Sequence, residues 1–259
     1  MTDRRQRQRE SREERRREEE RRKRIRAAWK RAAIFGSLAL LIIGVFFVIN
    51  VLSKREPELP AAYVAFRQLP VACDAEAPPE ITPKSFPDGP EDLGLPPDAP
   101  ITATMTTSCG EIVIELDPTL APQGVNSFVF LANEGFYDGT VFHRIIDTFV
   151  ARGGDPQADG KGGPGYGLPI EEPPDGFVYE PGVMALGHEY GSPTGSQFFF
   201  VVGPDAQSLG PDYSVLGTVV EGDDTLERIA AIPVQPAPSG ERSLPREAVY
   251  VESVTVESS

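Results

Sequence analysis

Two histidines, two cysteines and one tryptophan are spread over 259 residues, and each scarcity removes a class of chemistry. His143 and His188 stand far apart and lack the His, Cys or Glu spacing of a zinc site, so no zinc is expected. Ser192 lies off-centre in Gly191-Ser192-Pro193-Thr194-Gly195, which excludes the strained turn of a serine hydrolase. The glycine-rich Asp159-Gly160-Lys161-Gly162 has no Ser or Thr after its lysine, and Asp155 stands where a phosphate loop needs its first glycine. It reads as a surface turn.

What is present is first of all a division of charge. Residues 1–31 carry fifteen Lys/Arg against seven Asp/Glu, a net of +8, whereas the rest carries ten against thirty-two, a net of -22. Such asymmetry marks an exposed tail followed by a separate domain. Between them, residues 32–52 run for twenty-one positions without a charge. A helix needs roughly 20 apolar residues to cross a bilayer, so the run is expected as one transmembrane helix. It is longer than a cleaved signal core, and Lys54-Arg55 follow it directly, which favours a retained anchor. The basic excess before the run holds the N-terminus in the cytosol and places the remainder outside, making a single-pass cell-membrane protein. Interleaved Glu in residues 1–31 weakens any phosphate-binding face, so no nucleic-acid partner is expected.

Residues 53–100 read as an acidic, proline-rich linker. Eleven prolines between Glu56 and Pro100 oppose helix interiors and central strands, and only Tyr63–Phe66 offers a packing surface. From Ile101 the pattern changes. Ile101, Ala103 and Met105 alternate with threonines, Cys109-Gly110 turns the chain, and Ile112, Ile114 and Leu116 resume the alternation, which predicts a hairpin. Pro122–Asn133 predicts a helix with Gly135 beyond its end, and a second short helix is expected around Leu226 and Ile229. Further strands are expected at 141–146, 149–152, 183–186, 198–202, 215–220 and 249–256. Many short strands with two helices indicate a mainly β domain over residues 101–259, a barrel or a sandwich, expected to act as a monomer.

One arginine stands out in that domain. Val141-Phe142-His143-Arg144-Ile145-Ile146 alternates, so Phe142, Arg144 and Ile146 are expected on one face and His143 on the other. Such an arginine either covers apolar surface with its stem while its head reaches water, or presents a fixed guanidinium at the rim of an apolar groove.

The surrounding pattern bears on that choice. Phe142-His143-Arg144 is followed by Phe149, Gly153-Gly154-Asp155-Pro156, Gly195-Ser196-Gln197-Phe198-Phe199 and Tyr213-Ser214-Val215-Leu216-Gly217. In this order and spacing, over about Ile101 to Val256, the chain resembles the cyclophilin family of peptidyl-prolyl cis/trans isomerases. The resemblance implies a closed eight-stranded antiparallel barrel capped by two helices, with Arg144 as the catalytic arginine. Phe149, Phe199 and Leu209 would line a proline pocket, Tyr213 would stand at its edge, and Gln197 would contact the substrate backbone. Arg152 replaces a usual glutamine, and Gly187-His188-Glu189-Tyr190 replaces a small-residue run along the groove, so both Arg152 and His188 would face substrate. The implied partners are proline-containing polypeptides, here exported ones, turned over without cofactor or metal. The alternative is a catalytically weak or inactive proline-binding scaffold of the cell envelope. Cys73 and Cys109 both follow the apolar run, in a compartment where disulfides persist; they are expected to bridge the linker to the first hairpin, or else stand as unrelated thiols.

Overall fold

The computed structural model describes residues 41–46, 58–97, 100–189 and 192–258. The expected cytosolic tail and most of the apolar run lie outside these residues; 41–46 are helical, and among the described residues no helix is long and apolar enough to cross a membrane. Residues 58–259 form one compact unit.

The alternation in the threonine-rich segment produces β1 (Ile101–Thr107), whose every second residue is buried, and it pairs in antiparallel register with β2 (Gly110–Leu116). Eight strands form one sheet, including β3 (Arg144–Ile145), β4 (Val150–Gly153), β5 (Val183–Glu189), β6 (Ser192–Val201), β7 (Val215–Glu221) and, last in the chain, β10 (Val251–Ser258). Their order is β10-β1-β2-β7-β5-β6-β4-β3. The sheet curls but does not close, so the expected closed barrel is a half-barrel. The reason lies in the edge strand. Thr140–His143 leaves the ladder, β3 keeps only two residues, and the segments preceding β3 and β10 meet through an isolated Val141–Tyr250 bridge and a few hydrogen bonds such as Phe142 N–H to the Val249 carbonyl.

The helix expected at Pro122–Asn133 forms with those bounds and is labelled α2. Pro122 opens it without wasting a donor. The Glu171 carboxylate accepts the free N–H groups of Gln123 (3.0 Å) and Gly124 (2.8 Å), doing at a distance what an N-cap side chain does locally. Gly135, at φ +59°, supplies the left-handed turn that ends it. α2 packs on β6, β7 and β10, and α3 (Asp223–Ala230) on β2. Between the sheet and α2, Phe128, Tyr137, Phe142, Phe198 and Phe200 form a buried aromatic cluster with mostly edge-on contacts.

The proline-rich segment is more ordered than the linker expected over residues 53–100. It contains a further helix, α1 (Ala61–Arg67), and lies along the domain. Tyr63 and Phe66 are buried beside Ile81, Val141 and Tyr250; full burial of such side chains contributes about 1.5–3 kcal/mol each. The Tyr63 hydroxyl accepts the Ile81 N–H, Arg67 donates to the Pro78 carbonyl and covers the Tyr250 ring, and Asn126 holds both Glu91 and Leu93. Cys73 and Cys109 form a disulfide, with Cα atoms 5.1 Å apart, that ties this segment to the β1–β2 turn. A second small sheet was also unforeseen: the hairpin of β8 (Val234–Pro236) and β9 (Arg242–Pro245), with β9 lying against β3.

Candidate active site

The site sits where β3, β4, β5 and the segment before β7 converge. A small pocket of about 50 Å³ is lined by Arg144, Phe149, Arg152, His188, Phe199, Leu209 and Tyr213, among others. Six of the residues expected at the site beside Arg144 therefore meet around one hollow. Phe199 is almost fully buried and stands edge-on to Tyr213, which itself stands edge-on to Tyr179. The Tyr179 hydroxyl donates to the Tyr213 carbonyl at 2.8 Å, so the aromatic wall is fixed from behind. Burial is the main reason that this hydroxyl's pKa rises to about 12.

Arg144 reaches this pocket with its guanidinium carbon 5.9 Å from the centre of the Phe149 ring. Its surroundings differ from the expected alternation. Phe142 and Ile145 enter the core, whereas Arg144 and His143 both line an adjoining trough, because the two-residue β3 is too short to impose a regular pleat. His143 is buried, and its pKa falls to about 3, mainly because burial penalises the charged ring and also because Arg152 and Arg144 are close. It is a neutral wall.

Arg152 is the cross-strand partner of Arg144. Its head lies under the chain at Gly187, where a Cβ atom would come within 2.9 Å of its Nε, and it donates to the His188 carbonyl at 3.3 Å. The His188 ring in turn stacks on Tyr213 at 4.4 Å and 12°. Tyr190 lies outside the described residues. Gln197 is placed differently from its expected role at the substrate backbone. It is fully buried, and its amide donates to the carbonyls of Gly160 (3.1 Å) and Gly162 (2.7 Å), which need a donor in this glycine-rich turn. Asp155 organises the same turn by accepting the N–H groups of Gln157, Asp159 and Gly160, and burial raises its pKa.

Glu241, at the tip of the β8–β9 hairpin, went unrecognised. Its carboxylate accepts from Arg144 Nε at 2.8 Å and Nη2 at 2.9 Å, and those hydrogen bonds hold its pKa below the usual range. The one hint in the sequence is the Ala237-Pro238-Ser239-Gly240 turn between two short stretches, obscured by Pro236 and Pro245. The trough beside the small pocket measures about 840 Å³. It is walled by Phe66 of α1 and Leu69 just beyond it, by Leu244 of β9, and by Arg144, Arg152 and Tyr213, which the two hollows share.

Residues 102–256 match the family described as cyclophilin type peptidyl-prolyl cis-trans isomerase/CLD. The chain is similar to peptidyl-prolyl cis-trans isomerase B of Streptomyces anulatus, at 37% identity over 60% of this chain and 95% of that protein. It is also similar to peptidyl-prolyl cis-trans isomerase B of Bacillus subtilis, at 42% identity over 43% of this chain and 78% of that protein. A crystal structure of a Cryptosporidium parvum cyclophilin type isomerase, obtained in the presence of the dipeptide Ala-Pro, superposes with a TM-score of 0.54 and 26% identity, covering 61% of this chain and 99% of that one. With the family match spanning residues 102–256 and the fold shared with these relatives, the chain belongs to the cyclophilin-type peptidyl-prolyl cis-trans isomerase family.

Proposed function

We propose that the chain is a membrane-tethered peptidyl-prolyl isomerase acting on exported polypeptides, with Arg144 twisting the prolyl amide. The observation that carries this reading is a guanidinium held at the rim of a pocket whose walls are Phe149, Phe199, Leu209 and Tyr213. Amide resonance sets a barrier of about 18–20 kcal/mol to rotation, and the reaction makes and breaks no covalent bond. A donor directed at the prolyl nitrogen opposes delocalisation of its lone pair. That hydrogen bond is strong only in the twisted amide, so it stabilises the transition state over the planar ground state. The apolar walls hold the ring while the flanking chain runs into the larger trough, where one side of the bond can turn. Tethering and exported clients are supported by the uncharged run at 32–52, the basic excess before it and the cysteine pair beyond it.

One observation favours a second reading, a proline-binding scaffold without turnover: Arg144 already holds two hydrogen bonds to Glu241. Isomerisation of short X-Pro peptides by the full-length chain separates the two. Saturable acceleration over the thermal rate supports the enzyme; saturable binding without acceleration supports the scaffold.

A further inference from the structure

Arg144 and Arg152 face each other across β3 and β4 in register. Directly opposed side chains of an antiparallel pair lie about 4.5–5.5 Å apart at Cβ, and like charges there repel. An arginine so placed, with a long flexible stem and a quarter of its side chain in solvent, would swing away from its neighbour and from the pocket. It does not, and the group that restrains it is Glu241.

We infer that Glu241 is a positioning residue for Arg144, a carboxylate that this chain's hairpin delivers to hold the catalytic guanidinium in its working orientation. The inference rests on the reading of Arg144 as catalytic. Three features carry it. First, the contact is a side-on fork to Nε and Nη2, which fixes the plane of the guanidinium and not just its distance. A guanidinium has five N–H groups; the fork uses two and leaves three for substrate. Second, Glu241 lines the trough but not the small pocket, whereas Arg144 lines both, so the carboxylate grips from behind without entering the space for the proline ring. Third, the hairpin that carries it is anchored. Ser243 is buried, Leu244 packs beside Tyr63 and Phe66, the Arg246 N–H closes the hairpin base onto the Pro233 carbonyl, and the Ala237 N–H holds the Glu241 carbonyl at 2.7 Å.

A clamp and a brake make opposite predictions, so the test is decisive. Peptide isomerisation is measured for the full-length chain and for Glu241→Ala, Glu241→Gln and Arg144→Lys, with Glu241→Ala repeated in the Arg144→Lys background. Positioning predicts that Glu241→Ala lowers kcat about tenfold with KM little changed, the signature of an interaction that matters in the transition state. Glu241→Gln recovers part of the loss, since its carbonyl oxygen can still accept from the guanidinium. In the Arg144→Lys background, Glu241→Ala has no further effect on the residual rate, a coupling that a merely structural role would not produce. Unchanged or raised activity in Glu241→Ala overturns the inference and makes the carboxylate idle or inhibitory. An NMR readout separates this from failure of the isomerase reading. The Arg144 Nε–H resonance should be protected from exchange in the parent chain and lose protection in Glu241→Ala, which has no acceptor. An unprotected resonance in the parent refutes the clamp whatever the turnover, and a protected resonance with no turnover refutes the isomerase reading alone.

Discussion

Replacing both Cys73 and Cys109 by serine removes a cross-link spanning 36 residues. The cross-link acts chiefly by limiting the unfolded chain, and the loop-closure relation for this separation amounts to about 4 kcal/mol at 25 °C. The buried contacts of Tyr63, Phe66 and Ile81 operate in the folded state, so they keep the segment docked but do not restore that entropy. For a unit of this size each kcal/mol moves Tm by about 2–4 °C, so the double variant should melt about 8–15 °C lower. Thermal unfolding of the oxidised parent and the variant, followed by circular dichroism, reads this directly. A fall below about 2 °C would refute the reasoning, because it would mean that closing the Cys73–Cys109 loop does not limit the unfolded chain. A functional consequence follows from the same geometry. α1 walls the trough, whereas Arg144 is held by the hairpin, so the variant should raise KM for longer peptides and leave kcat nearly unchanged.

Leu209→Ala enlarges the proline pocket at a partly exposed position and should raise KM about tenfold, the usual worth of one apolar contact, with little change in melting temperature. His143 is neutral when folded, with a pKa of about 3, yet titrates near 6.5 when unfolded. Below about pH 6.5 the unfolded state binds the extra proton, so stability is full above that pH and declines toward pH 3 by on the order of 1.4 kcal/mol per unit. Urea midpoints between pH 7 and pH 4 should fall in the parent and fall less in His143→Phe; catalysis between pH 6 and 8 should be flat. Glu171→Gln weakens the remote cap of α2 and should cost about 0.5–2 kcal/mol in urea unfolding.

Residues with strong local signals were legible from sequence. The bounds of α2 follow from Pro122, the spacing of Val125, Phe128 and Val129, and Gly135 just past its end, all local signals. The β1–β2 hairpin follows from alternation alone. The pocket residues were reachable through resemblance, because they sit inside short motifs at fixed intervals. What escaped depends on contacts between distant segments. α1 is seven residues among prolines and is held by Tyr250 and Ile81, far away in sequence. Glu241 is one of many acidic residues until the hairpin folds it onto a partner 97 positions earlier. Gln197 turned inward because the carbonyls of Gly160 and Gly162 claim its amide, a demand invisible in the motif that contains it. The sheet stayed open for a geometric reason as well: the run at 141–146 has strand composition, but its first half pairs with loop backbone and not with a ladder.

The central claim is that Arg144 lowers the barrier to prolyl rotation, and the most direct test compares isomerisation by the full-length chain with that by Arg144→Ala. Removing one preorganised donor from a transition state costs on the order of 10²–10³ in kcat, so the variant should lose nearly all acceleration while binding peptide with similar affinity and melting as the parent does. An Arg144→Ala chain that keeps a large part of the parent's kcat would contradict the account, since the pocket would then be working without the guanidinium at its rim.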